Sequence, residues 1–137
     1  ENLAAQIEYA DIVCGHYIRG FDLPLLNGAL LASGQAPLGD VMTHDTKLDL
    51  KKAHGRSLSQ ENLASQIGVS APKVKVSLPE WEAFNTRQPG MNQKGVDRVT
   101  GDVDQNIEMR AKLLELGWLG PVKRWSSTTT KSGVYRP

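Results

Sequence analysis

The apolar positions of this chain change period several times, and each change predicts an element. Leu3, Ile7 and Ala10 recur at helical spacing and predict an amphipathic helix over 3–10. Ile12 to Tyr17 is a short apolar run, β-branched at its start, which predicts a buried strand with a parallel neighbour. Gly20 marks a turn. Leu25, Leu26, Ala29 and Leu30 then define one face of a helix from Phe21 to Ala32, with Pro24 tolerable in its first turn and Gly34 as its stop. Asp40 to Thr46 predicts a second strand, and Leu48 to Ala53 a short helix ending near Gly55. Strand, helix, strand is a crossover unit, so the two strands are expected to lie parallel in one sheet.

The second half is more helical. Ser57 to Gly68 predicts a helix with Ser59 as N-cap and Gly68 as stop. Residues 69–95 are rich in Pro and Gly and are expected to be irregular, apart from one or two turns over Pro79 to Phe84. A long helix follows, carried by Val99, Val103, Ile107, Arg110 to Leu114 and Leu116 and stopped by Gly117. From Gly117 onward there are four Lys/Arg and no acid, with a Ser/Thr run. Residues 120–137 are therefore expected to be a disordered basic tail.

Composition narrows the class only slightly. The 137 residues suffice for one domain with a real core, and a net charge of +1 carries no argument for nucleic acid. The single cysteine, Cys14, excludes an internal disulfide and every multi-cysteine zinc pattern, and it is expected to be a small buried hydrophobe. Apolar runs fall far short of the roughly 20 residues of a membrane helix, so no membrane partner is expected. The chain opens at Glu1 directly in a helical pattern, which reads as a cut through a longer protein.

Two aspartates stand where chemistry is plausible. Asp22 follows the C-terminal end of the first strand and opens a helix. In open α/β sheets that edge binds ligands, although aspartate is also a favoured helix cap. Asp102 lies on the long helix, flanked by Val99 and Val103 with Asn106 four residues on. A carboxylate on such an apolar stripe is costly unless it is paired or holds a metal. Asp104, roughly 200° around the helix, is expected to face solvent. His16 and His44 are expected to end strands with local polar partners. Trp81 and Trp118 are expected in the core, and Pro72, Lys73 and Lys75 in a solvated loop.

At these residues the chain resembles a family. Phe21-Asp22-Leu-Pro-Leu-Leu26, entered from a strand carrying Gly15-His16, resembles the second motif of the DEDD-type 3′–5′ exonucleases. His44-Asp45-Thr46 resembles the following strand, and Leu58 to Val69 the helix before the family's variable loop. Gly101-Asp102-Val103 resembles the third motif. The similarity runs in order over about residues 11–118 and is closest to phage-encoded DnaQ-like nucleases.

The resemblance implies an RNase H-like α/β fold, here partial, with parallel strands of a mixed sheet flanked by helices. Residues 1–119 would be the C-terminal part of an exonuclease domain. The implied cofactors are two divalent metals, magnesium or manganese, held by carboxylates that include Asp22 and Asp102, both catalytic. His16, Tyr17, Phe21 and Arg98 would contact nucleic acid. DNA, single-stranded or as a 3′ end, is the implied partner, with a DNA polymerase as a second implied one, in a cytoplasmic setting (that of the bacterial host if the protein is phage-encoded). Three features depart from the family pattern. The acid-x-acid first motif is absent, and is expected on an apolar strand upstream of Glu1. Tyr17 stands where the polymerase-like branch has asparagine. Arg98 or Asp97 replaces the catalytic tyrosine or histidine, and arginine cannot serve as a base. A structure-specific endonuclease or Holliday-junction resolvase, and a non-catalytic nucleic-acid- or replisome-binding module, remain alternatives.

Overall fold

The computed structural model describes residues 3–55, 58–69, 77–86 and 92–127. The element order is α1 (Leu3–Tyr9), β1 (Val13–Gly15), a π-helical turn (Ile18–Asp22), α2 (Leu23–Ala32), β2 (Val41–Asp45), α3 (Leu48–His54), α4 (Gln60–Gln66), α5 (Leu78–Asn85), α6 (Asn92–Glu115) and β3 (Lys123–Trp125). Two compact units result: Glu1–Ser57 with Leu119–Pro137, and Leu58–Trp118.

The first unit is α/β, with a small mixed sheet in the order β1-β2-β3. β1 and β2 are parallel, as the crossover pattern implies, with Val13 opposite Thr43 and Gly15 opposite Asp45. β3 runs antiparallel to β2, with Val41 opposite Trp125 and Thr43 opposite Lys123. Ala4, Ile18, Leu23, Leu30 and Leu38 form a buried cluster, and Ile7, Val13, Leu26 and Trp125 pack against it. Each fully buried leucine here contributes about 1.5–3 kcal/mol.

Three expectations change in this unit. α1 turns Ala4 and Ile7 inward, so Ile7 keeps its expected face while Leu3 and Ala10 are exposed. α2 turns inward through Leu23, Leu26 and Leu30, while Leu25 is 61% exposed. Leu23, Leu26 and Leu30 stand at i, i+3 and i+7 on one helical face, so Leu26 and Leu30 lie as expected while Leu25 falls off that face. The basic tail is the third change, because residues 123–125 are a strand rather than disordered chain, while residues 128–137 lie outside the described residues. Its polar groups have partners: Thr43 Oγ1 donates to the Lys123 carbonyl at 2.8 Å, and Ser126 Oγ to Asp40 at 2.7 Å. Ser127 Oγ donates to the Leu38 carbonyl at 2.6 Å. Composition alone does not reveal such long-range partners. Cys14 is half-buried.

The second unit is helical. Ser59 caps α4, accepting the Asn62 N–H at 3.1 Å. Ser77 and Glu80 form a reciprocal capping box at the start of α5, at 3.1 and 3.3 Å. The stops at Gly34, Gly55, Gly68 and Gly117 all have positive φ, where a Cβ would be strained. The buried stripe of α6 is Gln105, Asn106, Met109 and Leu113. Val99 and Val103, expected to face the core beside Asp102, are 49% and 52% exposed. The polar side turns inward because its amides have partners. Gln60 Nε2 donates to the Asp102 carbonyl at 2.9 Å and to Gln105 Oε1 at 3.0 Å, while Asn106 Nδ2 donates to Gln60 Oε1 at 3.2 Å. Trp118 is 47% exposed rather than core. Pro72, Lys73 and Lys75 lie outside the described residues.

Candidate functional site

The carboxyl ends of β1 and β2 lie side by side, and the chain leaves both through tight turns tied to one residue. Asp45, the last residue of β2, is fully buried. Its Oδ1 accepts N–H groups from Tyr17 at 2.9 Å and from Lys47 and Leu48 at 3.0 Å. Its Oδ2 accepts the Arg19 N–H at 3.0 Å. One carboxylate thus fixes the turn after β1 to the turn after β2. Arg19 adds a second tie, with a guanidinium that grips Asp49 through two bonds of 2.6 and 3.0 Å. Its Nε donates to Thr43 Oγ1 at 2.7 Å. Lys123 Nζ reaches Asp49 at 3.2 Å, so β3 joins the same network. Burial alone would raise the Asp49 carboxyl, but bonds from Arg19 and the Asp45 N–H, with the Arg19 and Lys123 charges, hold it below its ordinary 3.8.

This scaffold presents the sequence-predicted residues of the first unit on one turn. Asp22 is the N-cap residue of α2 yet makes no side-chain capping bond. Its carboxyl lies above its ordinary value of 3.8, first through partial burial and second through the charge of Asp45, which outweigh a bond from its own N–H. Phe21 beside it is 56% exposed. His16 Nδ1 pairs with Thr46 Oγ1 at 2.8 Å, and His44 Nε2 with the Gly120 carbonyl at 2.8 Å. Both histidines therefore have the polar partners expected of them, though these lie 30 and 76 residues away in the chain rather than locally.

Tyr17 has φ 68°, the one non-glycine residue with positive φ among those described. That conformation costs about 1–2 kcal/mol, and the bond of its N–H to Asp45 holds it. A Cβ on Gly20 would lie 2.3 Å from the Tyr17 ring, so the ring rests directly on glycine backbone. Lys47 Nζ stands 4.2 Å from the ring centroid, a cation–π contact of about 0.5–1 kcal/mol at an exposed site.

Asp102 belongs to the second unit and is described within it. It is partly exposed, and its Oδ2 accepts from Arg98 Nε at 3.1 Å across one helical turn. Asp104 is exposed, as its helical phase implies.

Hard divalent ions favour carboxylate oxygens. Asp22 fits such an ion: its carboxylate is uncapped, and partial burial together with the charge of Asp45 disfavours its ionisation. Asp102 fits less directly, because a guanidinium already occupies one of its oxygens. Among the described residues no group of three or more His, Cys, Asp and Glu is gathered to hold a metal ion. None of the described helices is long and apolar enough to cross a membrane.

Sequence reasoning missed Asp45, Arg19, Asp49 and Lys47. Asp45 at the end of an apolar strand was a usable signal. The Arg19–Asp49 pairing, 30 residues apart, had no local one. Comparison with family models, curated proteins and solved structures finds no match.

Proposed function

We infer that this chain carries part of the active site of a metal-dependent nuclease that hydrolyses DNA phosphodiesters, most simply as a 3′–5′ exonuclease. The observation that carries the reading is Asp22. It stands at the carboxyl edge of parallel strands, starts a helix without capping it, and has its pKa raised first by partial burial and second by the charge of the fully buried Asp45. A carboxylate placed against another negative charge stabilises the fold poorly, whereas it suits a cation. The order of motifs through Asp102 supports the same reading.

In this reading Asp22 and Asp102 each supply an oxygen ligand to divalent magnesium or manganese. When bound, such ions activate water and stabilise the leaving oxygen of a phosphodiester. Asp45 fixes the turn that carries Asp22 and keeps that turn from relaxing as charge accumulates. Phe21 offers an exposed ring on which a terminal base stacks.

A second reading has one observation in its favour. Arg98 neutralises Asp102 at the helical position where a ligand is required, which suits a nucleic-acid-binding module without cleavage. The deciding experiment follows a 5′-labelled single strand incubated with the full-length protein and magnesium or manganese. Stepwise shortening from the 3′ end, abolished by Asp22→Asn, supports the exonuclease. Cleavage confined to branched substrates supports a structure-specific endonuclease. Binding without cleavage supports the module.

A further inference from the structure

Lys47 takes no part in the reading above, and its surroundings are unusual. The two carboxylates nearest to it in the chain are engaged elsewhere. Asp45 accepts four backbone N–H groups, and Asp49 is gripped by Arg19 and Lys123. Among the described residues no carboxylate is bonded to the Lys47 ammonium, which instead lies over the ring of Tyr17.

That ring is held with some effort. Tyr17 adopts a left-handed backbone conformation, and residue 20 must be glycine to leave the ring room. Core packing does not explain the arrangement, since Tyr17 remains 37% exposed. Strained residues of this kind gather at ligand sites. What the ring accomplishes is to hold a positive charge, without neutralising it, at the strand edge that carries Phe21 and Asp22.

We propose that Lys47, positioned by Tyr17, contacts a phosphate of a single-stranded DNA substrate while a base stacks on Phe21. The proposal rests on the reading of this edge as a nuclease site and adds to it a residue that grips the strand. A partner that is an aromatic ring orients the ammonium yet leaves its full charge for an anion. A carboxylate partner would cancel that charge.

The test is fluorescence anisotropy of a labelled single strand of about 12 nucleotides, titrated with the chain at about 50 to 200 mM salt. Lys47→Gln is expected to weaken binding about fivefold and to flatten the dependence of log affinity on log salt by about 0.7, the share of one phosphate contact. Lys47→Arg is expected to bind as wild type does. Tyr17→Leu keeps the charge but not its support, so it is expected to weaken binding by a smaller factor at the wild-type salt slope. Should Lys47→Gln fail to melt cooperatively, Lys47→Met keeps the aliphatic stem and gives the same reading. A folded, charge-free variant with wild-type affinity and salt slope overturns the role of Lys47 and leaves the nuclease reading standing. Absence of binding by the wild-type chain overturns both.

Discussion

Asp22 is the N-cap residue of α2 and Asp102 lies midway along α6, and both resemble metal ligands in sequence, yet their surroundings are opposite in sign. At the sheet edge, Asp22 has a buried carboxylate for a neighbour and no capping bond, and its pKa is raised. On α6, Asp102 has a guanidinium at one oxygen and a stripe of bonded amides beside its backbone. The first is an electrostatic cost within the chain itself, and the second is already compensated. A carboxylate motif alone therefore does not reveal whether a cation is wanted. The charge of its neighbours does.

The largest effect should come from the scaffold beneath Asp22. Asp45→Ala strips four backbone N–H groups of their acceptor and is expected to destabilise the first unit by about 3–5 kcal/mol, read by urea or thermal melting. Asp102→Ala removes a partly exposed pair across one turn and should cost under about 1 kcal/mol. Similar losses at both positions would break the contrast.

Asp49→Ala follows. It leaves the largely buried Arg19 guanidinium without its carboxylate, and about 3 kcal/mol of stability should be lost. The lowered pKa of Asp49 gives the same contact a pH signature. Its contribution is fully present above the ordinary value of 3.8 and is lost as pH falls through the lowered folded value. Acid melting of wild type should therefore steepen below about pH 4, and Asp49→Asn should flatten that limb.

On α6, Arg98→Gln should remove the guanidinium from Asp102 Oδ2. Removing an exposed pair of this kind is expected to raise manganese affinity at that carboxylate by about twofold, read by electron paramagnetic resonance. Unchanged affinity would mean that the guanidinium does not compete.

The smallest effect is on stability at Asp22. A raised carboxyl pKa means that the fold disfavours the charged form, so stability falls as pH rises from 3.8 through the raised value. Asp22→Asn should therefore melt slightly higher than wild type at neutral pH, by no more than about 3 °C. A variant that melts lower would restore the capping role to Asp22.

Much of this was legible in the chain because it is written in local pattern. The parallel pairing of β1 and β2 follows from the crossover, and Ser59, Gly55 and Gly68 mark helix ends where the chain has them. What was not legible depends on groups far apart in sequence. The π-helical turn that leads into α2 was not legible, because its Arg19 N–H is held by Asp45 on the next strand. The inward side of α6 could not be chosen without Gln60, which makes its amides acceptable inside. β3 was hidden because its lysine, arginine and serines look solvated until Asp40, Asp49 and Leu38 stand opposite them. Asp22 itself was found by position, but what separates it from a helix cap is the missing capping bond and a carboxyl raised by burial and by the charge of Asp45.

Manganese binding tests the role of Asp22 most directly, because it needs no knowledge of the substrate. The chain is titrated with manganese at neutral pH and free ion is counted by electron paramagnetic resonance, for wild type, Asp22→Asn and Asp102→Asn. Wild type is expected to bind, Asp22→Asn at least about tenfold more weakly, and Asp102→Asn more weakly than wild type by a smaller factor. An Asp22→Asn chain that binds manganese as wild type does, while remaining folded, would contradict the assignment of this sheet edge as a cation site.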